Sequence, residues 1–216
     1  MKKALITGAS QGLGRAIARL LASRGYKLIL NARTAAPLQA LARELDATAI
    51  VGDVAEVAEE IAERAGEVDV LINNASDLGP LPMPRLEDYP WNALLQVFRV
   101  NAVAPLHLAQ LVLPRMKERG SGTILNIISD AGINAYPGWG GYGASKAALL
   151  HLSRTLATEL EGTGVRVFAI DPGDMNTAMH RMAVGEHADL SHLPMPEDVA
   201  PRIVAYLDDD AAEHVA

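Results

Sequence analysis

The chain has no cysteine, no long run of basic residues and no apolar stretch as long as a membrane span. The absence of cysteine excludes a disulfide scaffold and any site built on thiolates. Asp and Glu number 26 against 19 Lys and Arg, and the resulting charge of −7 argues against nucleic acid as a partner. A membrane helix needs roughly 18–20 consecutive apolar residues, so we expect no membrane partner. The start of the chain becomes glycine-rich too early for a secretory signal, and we expect a cytoplasmic protein.

The chain has 216 residues, half of them hydrophobic, which suits a single domain over residues 1–216. Short apolar runs alternate with segments of helical periodicity. The runs predict strands over residues 4–7, 27–31, 48–51, 68–73, 122–129 and 165–170. The periodic segments predict helices over residues 12–24, 37–45, 57–65, 91–117 and 143–160, with another after Pro196.

The predicted strands show little alternation of apolar and polar residues, which is typical of strands buried on both faces. Strands that alternate with helices predict an α/β fold, a Rossmann-like, doubly wound parallel sheet. In such sheets, ligands bind beyond the carboxyl ends of the strands. The residues that follow the six strands are rich in Gly, Asn, Asp and Ser, so we expect the functional site there.

A glycine-rich turn, Thr7-Gly8-Ala9-Ser10-Gln11-Gly12-Leu13-Gly14, joins the first strand to the first helix. Glycines let the backbone approach a ligand, and the helix start offers unpaired N–H groups with a partial positive charge. The turn therefore predicts a diphosphate site, although a tight turn that binds nothing has the same glycine spacing.

The second strand ends in Leu30-Asn31-Ala32-Arg33, where folds that prefer NAD usually carry an acidic residue. A guanidinium at this point attracts a 2′-phosphate, whereas a carboxylate would repel it. Arg33 thus predicts NADP(H) rather than NAD(H). The other interpretation of Arg33 is a solvated surface charge.

Tyr142 and Lys146 are four residues apart at the start of a predicted helix and share one helix face. A free tyrosine has a pKa of ~10, and a neighbouring cation lowers it by favouring the phenolate. A phenol tuned in this way can protonate a carbonyl oxygen as hydride arrives, or take the proton in reverse. Ser129 offers a hydroxyl for the same oxygen. Asn101 places an amide in an apolar helix, where it can simply bond its own backbone.

Taken together, these residues resemble the short-chain dehydrogenase/reductase family, in its short single-domain branch, from Lys3 to about Asp210. The resemblance rests on the glycine turn and on further motifs in order, which are Asp53, Asn73-Asn74-Ala75, Asn101, Ser129, Tyr142 with Lys146, and Pro172-Gly173 with Thr177.

The resemblance implies a role for each matching residue. Tyr142 would be the general acid or base, Lys146 would lower its pKa and bond the nicotinamide ribose, and Ser129 would position the carbonyl. Asn101 would hold a water in a proton relay. The implied cofactor contacts are Gly8, Ser10, Gln11, Gly12, Leu13, Gly14, Arg33, Asp53, Val54, Asn74, Tyr142, Lys146, Pro172, Gly173 and Thr177.

The chain departs from the family pattern in three places. Ser76 stands where the family commonly has the glycine of Asn-Asn-Ala-Gly, and Asp130 stands where it has a second serine. A carboxylate beside the site would disfavour anionic substrates. Family members commonly continue into a seventh strand, and since the chain ends at Ala216 we expect that strand, and any interface built on it, to be missing.

Other features leave two choices open. The apolar helices predicted over residues 91–117 and 143–160 indicate a homodimer, which the resemblance also implies. Trp139 and Tyr136 either wall the substrate pocket or pack against a neighbouring subunit. Substrate specificity is expected to come from the loops over residues 78–90, 131–141 and 175–195. The last loop carries His180, His187 and His192, but their spacing does not suit a metal and we expect no metal site.

The leading interpretation is an NADPH-dependent carbonyl reductase, or alcohol dehydrogenase in reverse, acting on a small ketone, aldehyde or alcohol. The alternative is a non-catalytic NADP-sensing or interaction protein on the same fold. Epimerases and dehydratases of this fold generally carry a longer substrate domain, for which 216 residues leave no room.

Overall fold

The computed structural model describes residues 1–185 and 187–208. Within them the strands are β1 Lys3–Thr7, β2 Lys27–Ala32, β3 Thr48–Val51, β4 Val70–Asn73, β5 Gly122–Ile127 and β6 Val165–Ile170. The helices are α1 Gly12–Ser23, α2 Ala35–Leu45, α3 Ala58–Ala65, α4 Trp91–Phe98, α5 Ala104–Arg119, α6 Gly140–Glu159, α7 Ala178–Val184 and α8 Pro196–Val204. All six predicted strands are confirmed, with ends that differ by at most two residues.

The six strands form one parallel sheet in the order β3-β2-β1-β4-β5-β6. From β1, the strands β2 and β3 are added on one side, and β4, β5 and β6 are then added on the other side. This is the doubly wound Rossmann order, so the predicted fold class is confirmed. Residues 209–216, which bear on the expected absence of a seventh strand, lie outside the described part of the chain.

Helices cover both faces of the sheet. On one face, α1, α2 and α8 pack against side chains such as Ile6, Leu30 and Ile72. On the other, α3 and α5 pack against their chain neighbours, such as Leu5 and Leu71. Successive side chains of a strand point to opposite faces, so both sets must be apolar when both faces are covered. This double burial explains why the strands lack alternation in the sequence.

The helix predicted over residues 91–117 is divided in three. A π-helical segment, Arg99–Val103, separates α4 from α5 and has Asn101 at its centre. The stretch Trp91–Arg119 contains an 18-residue window with a mean hydropathy of 1.2, so this stretch passes the length and composition test for a membrane-spanning helix. Over half of its most apolar part is buried, because α5 packs Leu108, Val112 and Met116 against the sheet, as in a core helix.

A further short helix, α7, lies in the segment predicted as a loop over residues 175–195. Its first turn is capped by Thr177, whose Oγ1 accepts a hydrogen bond from the His180 N–H at 3.1 Å. Seven residues are too few to show helical periodicity, so the sequence did not reveal it.

Candidate active site

A cavity of about 750 Å³ lies beyond the carboxyl ends of the strands, where the strand order reverses between β1 and β4. Most of the predicted site residues line it, although they come from every part of the chain. These are Gly8, Ser10, Gln11, Gly12, Leu13, Arg33, Asp53, Val54, Asn74, Ser129, Tyr142, Lys146, Pro172, Gly173 and Thr177. Two predicted residues, Gly14 and Asn101, do not line the cavity.

The glycine turn is held in shape by Asn74. Its Nδ2 donates to the carbonyl oxygens of Thr7 at 3.0 Å and Gly8 at 3.2 Å. Gly12 has a φ of +53°, and a Cβ there would meet only the Thr177 methyl at 3.7 Å, across the cavity. Gly14 instead packs tightly against Gly8 and Asn74. Its predicted cofactor contact is therefore replaced by a packing role, while the Gly12 side of the turn leaves room for a ligand.

Two guanidinium groups face the same end of the cavity. Arg33, whose side chain is 62% exposed, has its Nη1 3.9 Å from Asp53 Oδ2. Arg15 also lines the cavity, and within the described residues its buried Nε has no hydrogen-bond partner. A buried donor without a partner indicates a site for an anionic or polar ligand group. Arg15 was not among the residues predicted from the sequence, although a basic residue directly after Gly14 was a visible signal.

Tyr142 and Lys146 lie on one face of α6, as predicted, with relative exposures of 9% and 2%. The Lys146 Nζ is 5.6 Å from the centroid of the Tyr142 ring and donates to the Ile127 carbonyl oxygen at 2.7 Å. Trp139 packs edge-on against the Tyr142 ring, with 5.8 Å between the centroids. The phenol and the ammonium are thus held beside the carboxyl end of β5.

Burial raises the pKa of Tyr142 to about 12, and it outweighs the hydrogen bonds of Ser76 and Ser129 that lower it. The carboxylates of Asp171 and Asp130 raise it further. Burial also lowers the pKa of Lys146 to about 7. In the protein alone, burial sets the direction of both shifts, and the lowering of the Tyr142 pKa by Lys146 that the sequence predicts stays a prediction for the complex with cofactor. At neutral pH, Tyr142 is a protonated phenol.

Ser129 lies two residues past β5, beside the Tyr142 hydroxyl. Its Oγ accepts from the Ala131 N–H at 3.2 Å and donates to Asp130 Oδ1 at 3.3 Å. Ser76 reaches the same place from the segment after β4, and its Oγ donates to Asn101 Oδ1 at 3.3 Å. Two hydroxyl groups therefore surround the phenol oxygen, and the second was not recognised as functional from the sequence.

Asn101 uses its whole hydrogen-bonding capacity within the protein. Its Nδ2 donates to the Asp77 carbonyl at 2.8 Å and to Ser145 Oγ at 2.9 Å. Its Oδ1 accepts from the Asp77 N–H at 2.7 Å as well as from Ser76. The side-chain amide therefore does not bond its own helix and has no free position of its own for a water, and the relay role that the resemblance implied stays a prediction for the residue. The amide ties the segment after β4 to α6.

An apolar cluster lines the cavity beside Tyr142, on the side that we call the substrate side. Leu78, Ala131 and Tyr142 form a buried cluster, against which Met83, Trp139, Met179 and Ala183 pack. Trp139 and Tyr136 both line the cavity, as one of the two interpretations predicted. α7 covers this side, where the sequence placed a loop over the substrate.

The histidines do not form a metal cluster in the part of the chain that the structure describes. Over residues 1–185 and 187–208, no group of three or more His, Cys, Asp or Glu side chains is placed to hold a metal ion. His180 instead faces Asp174, with 3.6 Å between Nδ1 and Oδ1.

Comparison with known proteins gives the same picture over most of the chain. The family model for short chain dehydrogenase matches residues 2–187. A 3-oxoacyl-[acyl-carrier-protein] reductase, FabG, from Thermotoga maritima is 31% identical in an alignment of 232 positions, gaps included. The alignment covers 99% of this chain and 93% of the relative. A 1-deoxy-11-beta-hydroxypentalenate dehydrogenase from Streptomyces avermitilis is 35% identical, over 82% of this chain and 70% of the relative.

Solved structures agree with these relatives. A short chain dehydrogenase from Streptomyces avermitilis, 31% identical, superposes with a TM-score of 0.83 and covers 97% of this chain and 85% of its own. A structure from Escherichia coli CFT073, described as a short chain dehydrogenase complexed with NADPH, is 28% identical with a TM-score of 0.89. The coverage in that case is 97% of this chain and 92% of the other. With the family model spanning most of its length, the chain belongs to the short-chain dehydrogenase/reductase family.

Proposed function

We propose that the protein is an NADPH-dependent carbonyl reductase that transfers hydride from the cofactor to a ketone or aldehyde. The observation that carries the proposal is the position of the buried Tyr142 phenol, which lies beside Ser129 and Lys146 in the cavity. The phenol is protonated at neutral pH, so it is the group placed to donate a proton to a carbonyl oxygen as hydride arrives.

The cavity fits a phosphorylated dinucleotide. Its glycine turn lies at the start of α1, where unpaired N–H groups suit a diphosphate, and Arg33 and Arg15 supply positive charge at the same end. We place the 2′-phosphate near Arg33, the adenine near Asp53 and Val54, and the nicotinamide end near Pro172-Gly173 and Thr177. The structural relative from Escherichia coli, complexed with NADPH, supports this choice over NADH.

The reduced nicotinamide supplies hydride when it is bound, and the chain's own residues handle the proton. Ser129 Oγ and the Tyr142 hydroxyl converge on the carbonyl oxygen, and Tyr142 donates its proton there as negative charge develops. Lys146 gives one of its N–H bonds to the Ile127 carbonyl, which leaves at least one for the ribose. Asn101 is a positioning residue, because its side chain bonds both Ser76 and Ser145 and so fixes the segment after β4 against α6.

A direct test is to mix the purified protein with NADPH and a panel of ketones and aldehydes, and to follow the nicotinamide absorbance. We expect consumption of NADPH that depends on the carbonyl compound, with the corresponding alcohol as product. Tight binding of NADPH with no turnover across the panel would instead support the sensing or interaction protein.

The first variant that tests the cofactor choice is Arg33→Ala. Loss of a charge-assisted contact to the 2′-phosphate is expected to raise the dissociation constant of NADPH by about tenfold. The constant for NADH, which lacks this phosphate, should change by less than twofold. Isothermal titration with both cofactors measures the ratio. An equal effect on NADPH and NADH would contradict the assignment, and Arg24→Ala, outside the cavity, is a matched control.

The second variant concerns Ser76. Its hydroxyl lowers the pKa of Tyr142 by hydrogen bonding, so it stabilises the phenolate that remains after proton donation. Ser76→Ala is expected to lower kcat for carbonyl reduction by about tenfold with little change in KM, because the contact matters most when charge develops. Ser76→Thr keeps a hydroxyl and should retain most of the activity. Wild-type kcat in the Ala variant would refute this role.

We also propose a cytoplasmic homodimer that associates through α4, α5 and α6. Trp91 and Leu95 on α4 and Val103 beside it are 75%, 60% and 55% exposed, which leaves apolar surface on this side of the chain. Light scattering in solution measures the mass of the particle. A monomer at micromolar concentration would contradict the dimer and would leave the reductase proposal standing.

A further inference from the structure

The substrate side of the cavity holds a carboxylate that the proposed reduction does not use. Asp130 follows Ser129 directly and lines the cavity. Its Oδ1 accepts from Ser129 Oγ at 3.3 Å, and its Oδ2 accepts from the Tyr136 hydroxyl at 2.7 Å. A carboxylate has about four acceptor positions, so about half of its capacity remains for a ligand.

No cation of the protein neutralises this carboxylate in the described part of the chain. Over residues 1–185 and 187–208, no Lys, Arg or His nitrogen forms an ion pair with Asp130 within 4.0 Å. The nearby Asp174 also lines the cavity, and its ion-pair partner is His180. The guanidinium groups of Arg15 and Arg33 lie at the other end, by α1 and β2. On this side of the cavity the carboxylates of Asp130, Asp171 and Asp174 face one lysine, Lys146, whose Nζ donates to the Ile127 carbonyl. The carboxylates therefore outnumber the cations there, and in the described residues no cation on this side pairs with Asp130.

The walls around Asp130 suit a cation with an apolar body. Tyr136 contacts the carboxylate through its hydroxyl, and Trp139 presents its ring beside Tyr142. A cation that binds Asp130 and reaches the face of one of these rings gains a second attraction, which adds to that of the carboxylate. Leu78 and Met179 supply apolar surface for the rest of a ligand.

We propose that Asp130 and Tyr136 form a subsite for an ammonium group, so that the substrates are ketones or aldehydes carrying a cationic nitrogen close to the carbonyl. The inference rests on the proposed reductase function. Asp130 Oδ1 lies 3.3 Å from the Ser129 hydroxyl, which is assigned to the carbonyl oxygen. The nitrogen therefore sits within two or three bonds of the carbonyl carbon. A carboxylate at that position meets Asp130 and is rejected.

Three aryl ketones test the subsite, since they share a benzoylmethyl group and differ only in what it carries. They end in a protonated dimethylamino group, in the isosteric neutral isopropyl group, or in a carboxylate. The expected kcat/KM with NADPH is about tenfold higher for the cation than for the neutral ketone, and about tenfold lower for the anion. Equal values for the cation and the neutral ketone would overturn the proposal.

Variants locate the effect in Asp130. Asp130→Asn keeps the shape and removes the charge, so the ratio of cation to neutral ketone should fall to within about twofold of one. Asp174→Asn removes another carboxylate of the same cavity and should leave the ratio high. The reverse pattern, with the preference lost only in Asp174→Asn, would contradict the assignment to Asp130.

Binding separates this proposal from the reductase function. Dissociation constants of the same three ketones, measured by titration calorimetry on the Tyr142→Phe variant bound to NADPH, should follow the same order, because that variant keeps the subsite and loses the proton donor. Turnover of all three ketones at equal rates refutes the subsite and leaves the reductase. Binding in the expected order without turnover by the wild type refutes the reductase and leaves the subsite.

Discussion

Tyr142→Phe is expected to lower kcat/KM for carbonyl reduction by at least about a thousandfold, toward the upper end of what a positioned general acid contributes. The change removes one oxygen atom, the one that donates the proton to the carbonyl. Ser129 retains its hydroxyl, but a serine hydroxyl is a much weaker acid than a phenol and does not replace Tyr142 as the proton donor. Lys146 remains in place, because its hydrogen bond is to the Ile127 carbonyl and not to the phenol.

Binding measurements show whether the loss of activity in Tyr142→Phe comes from the chemical step or from weaker binding of NADPH. The dissociation constant of NADPH should stay within about threefold of the wild type, since the glycine turn and Arg33 are untouched. Tyr206→Phe is a matched control, because that ring packs on Phe168 away from the cavity, 5.3 Å between centroids. Full turnover by Tyr142→Phe would show that the acid is another group.

Lys146→Met is expected to make the protein more stable below neutral pH while it abolishes most of the activity. Lys146 is 2% exposed, and burial lowers its pKa to about 7 from the usual value of 10.5. Between pH 7 and 10 the unfolded chain binds this proton and the folded protein does not. Stability contributed by the neutral lysine is therefore present at high pH and is lost as pH falls toward 7.

Methionine has nearly the same length but carries no charge, so the variant removes the penalty for burying an ammonium. At pH 6 we expect its free energy of unfolding to exceed that of the wild type by ~2–4 kcal/mol, after the lost hydrogen bond to Ile127 is allowed for. Urea denaturation without added cofactor, at pH 6 and at pH 9, measures the difference in the free energy of unfolding between the variant and the wild type.

The pH dependence identifies the cause of that difference. The advantage of Lys146→Met should shrink toward zero at pH 9, which lies below the pH range where Tyr142 ionises and removes stability in its turn. Lys117→Met, on the exposed side of α5, should follow the wild type at both pH values. A wild-type stability that fell between pH 7 and pH 9 more than that of Lys146→Met would contradict the account.

The fold could be predicted because both faces of the inner strands are covered. Leu5 and Ile6, or Leu71 and Ile72, are adjacent in the sequence and point to opposite faces, so the strands appear as continuous apolar runs. The division of the helix at Arg99–Val103 and the short helix α7 could not be predicted. A π-helical segment depends on the tertiary bonds of Asn101, and seven residues carry no periodicity.

Most of the residues that line the cavity could be predicted, because residues that follow parallel strands meet at one edge of the sheet. What the residues do there depends on burial, which the sequence does not give. Burial raises the pKa of Tyr142 and lowers that of Lys146, and it is the largest cause of both shifts. The four hydrogen bonds of Asn101 and the contact of Ser76 with the phenol likewise require the folded chain.

The most direct measurement is to follow the transferred hydrogen itself. The protein is incubated with NADPH that carries deuterium at both positions of nicotinamide C4 and with the neutral aryl ketone, and the alcohol is analysed by mass spectrometry. The account predicts an alcohol one mass unit heavier, with deuterium on the carbinol carbon, and none of it from Tyr142→Phe. An alcohol without deuterium, or labelled alcohol formed equally by that variant, would contradict the account.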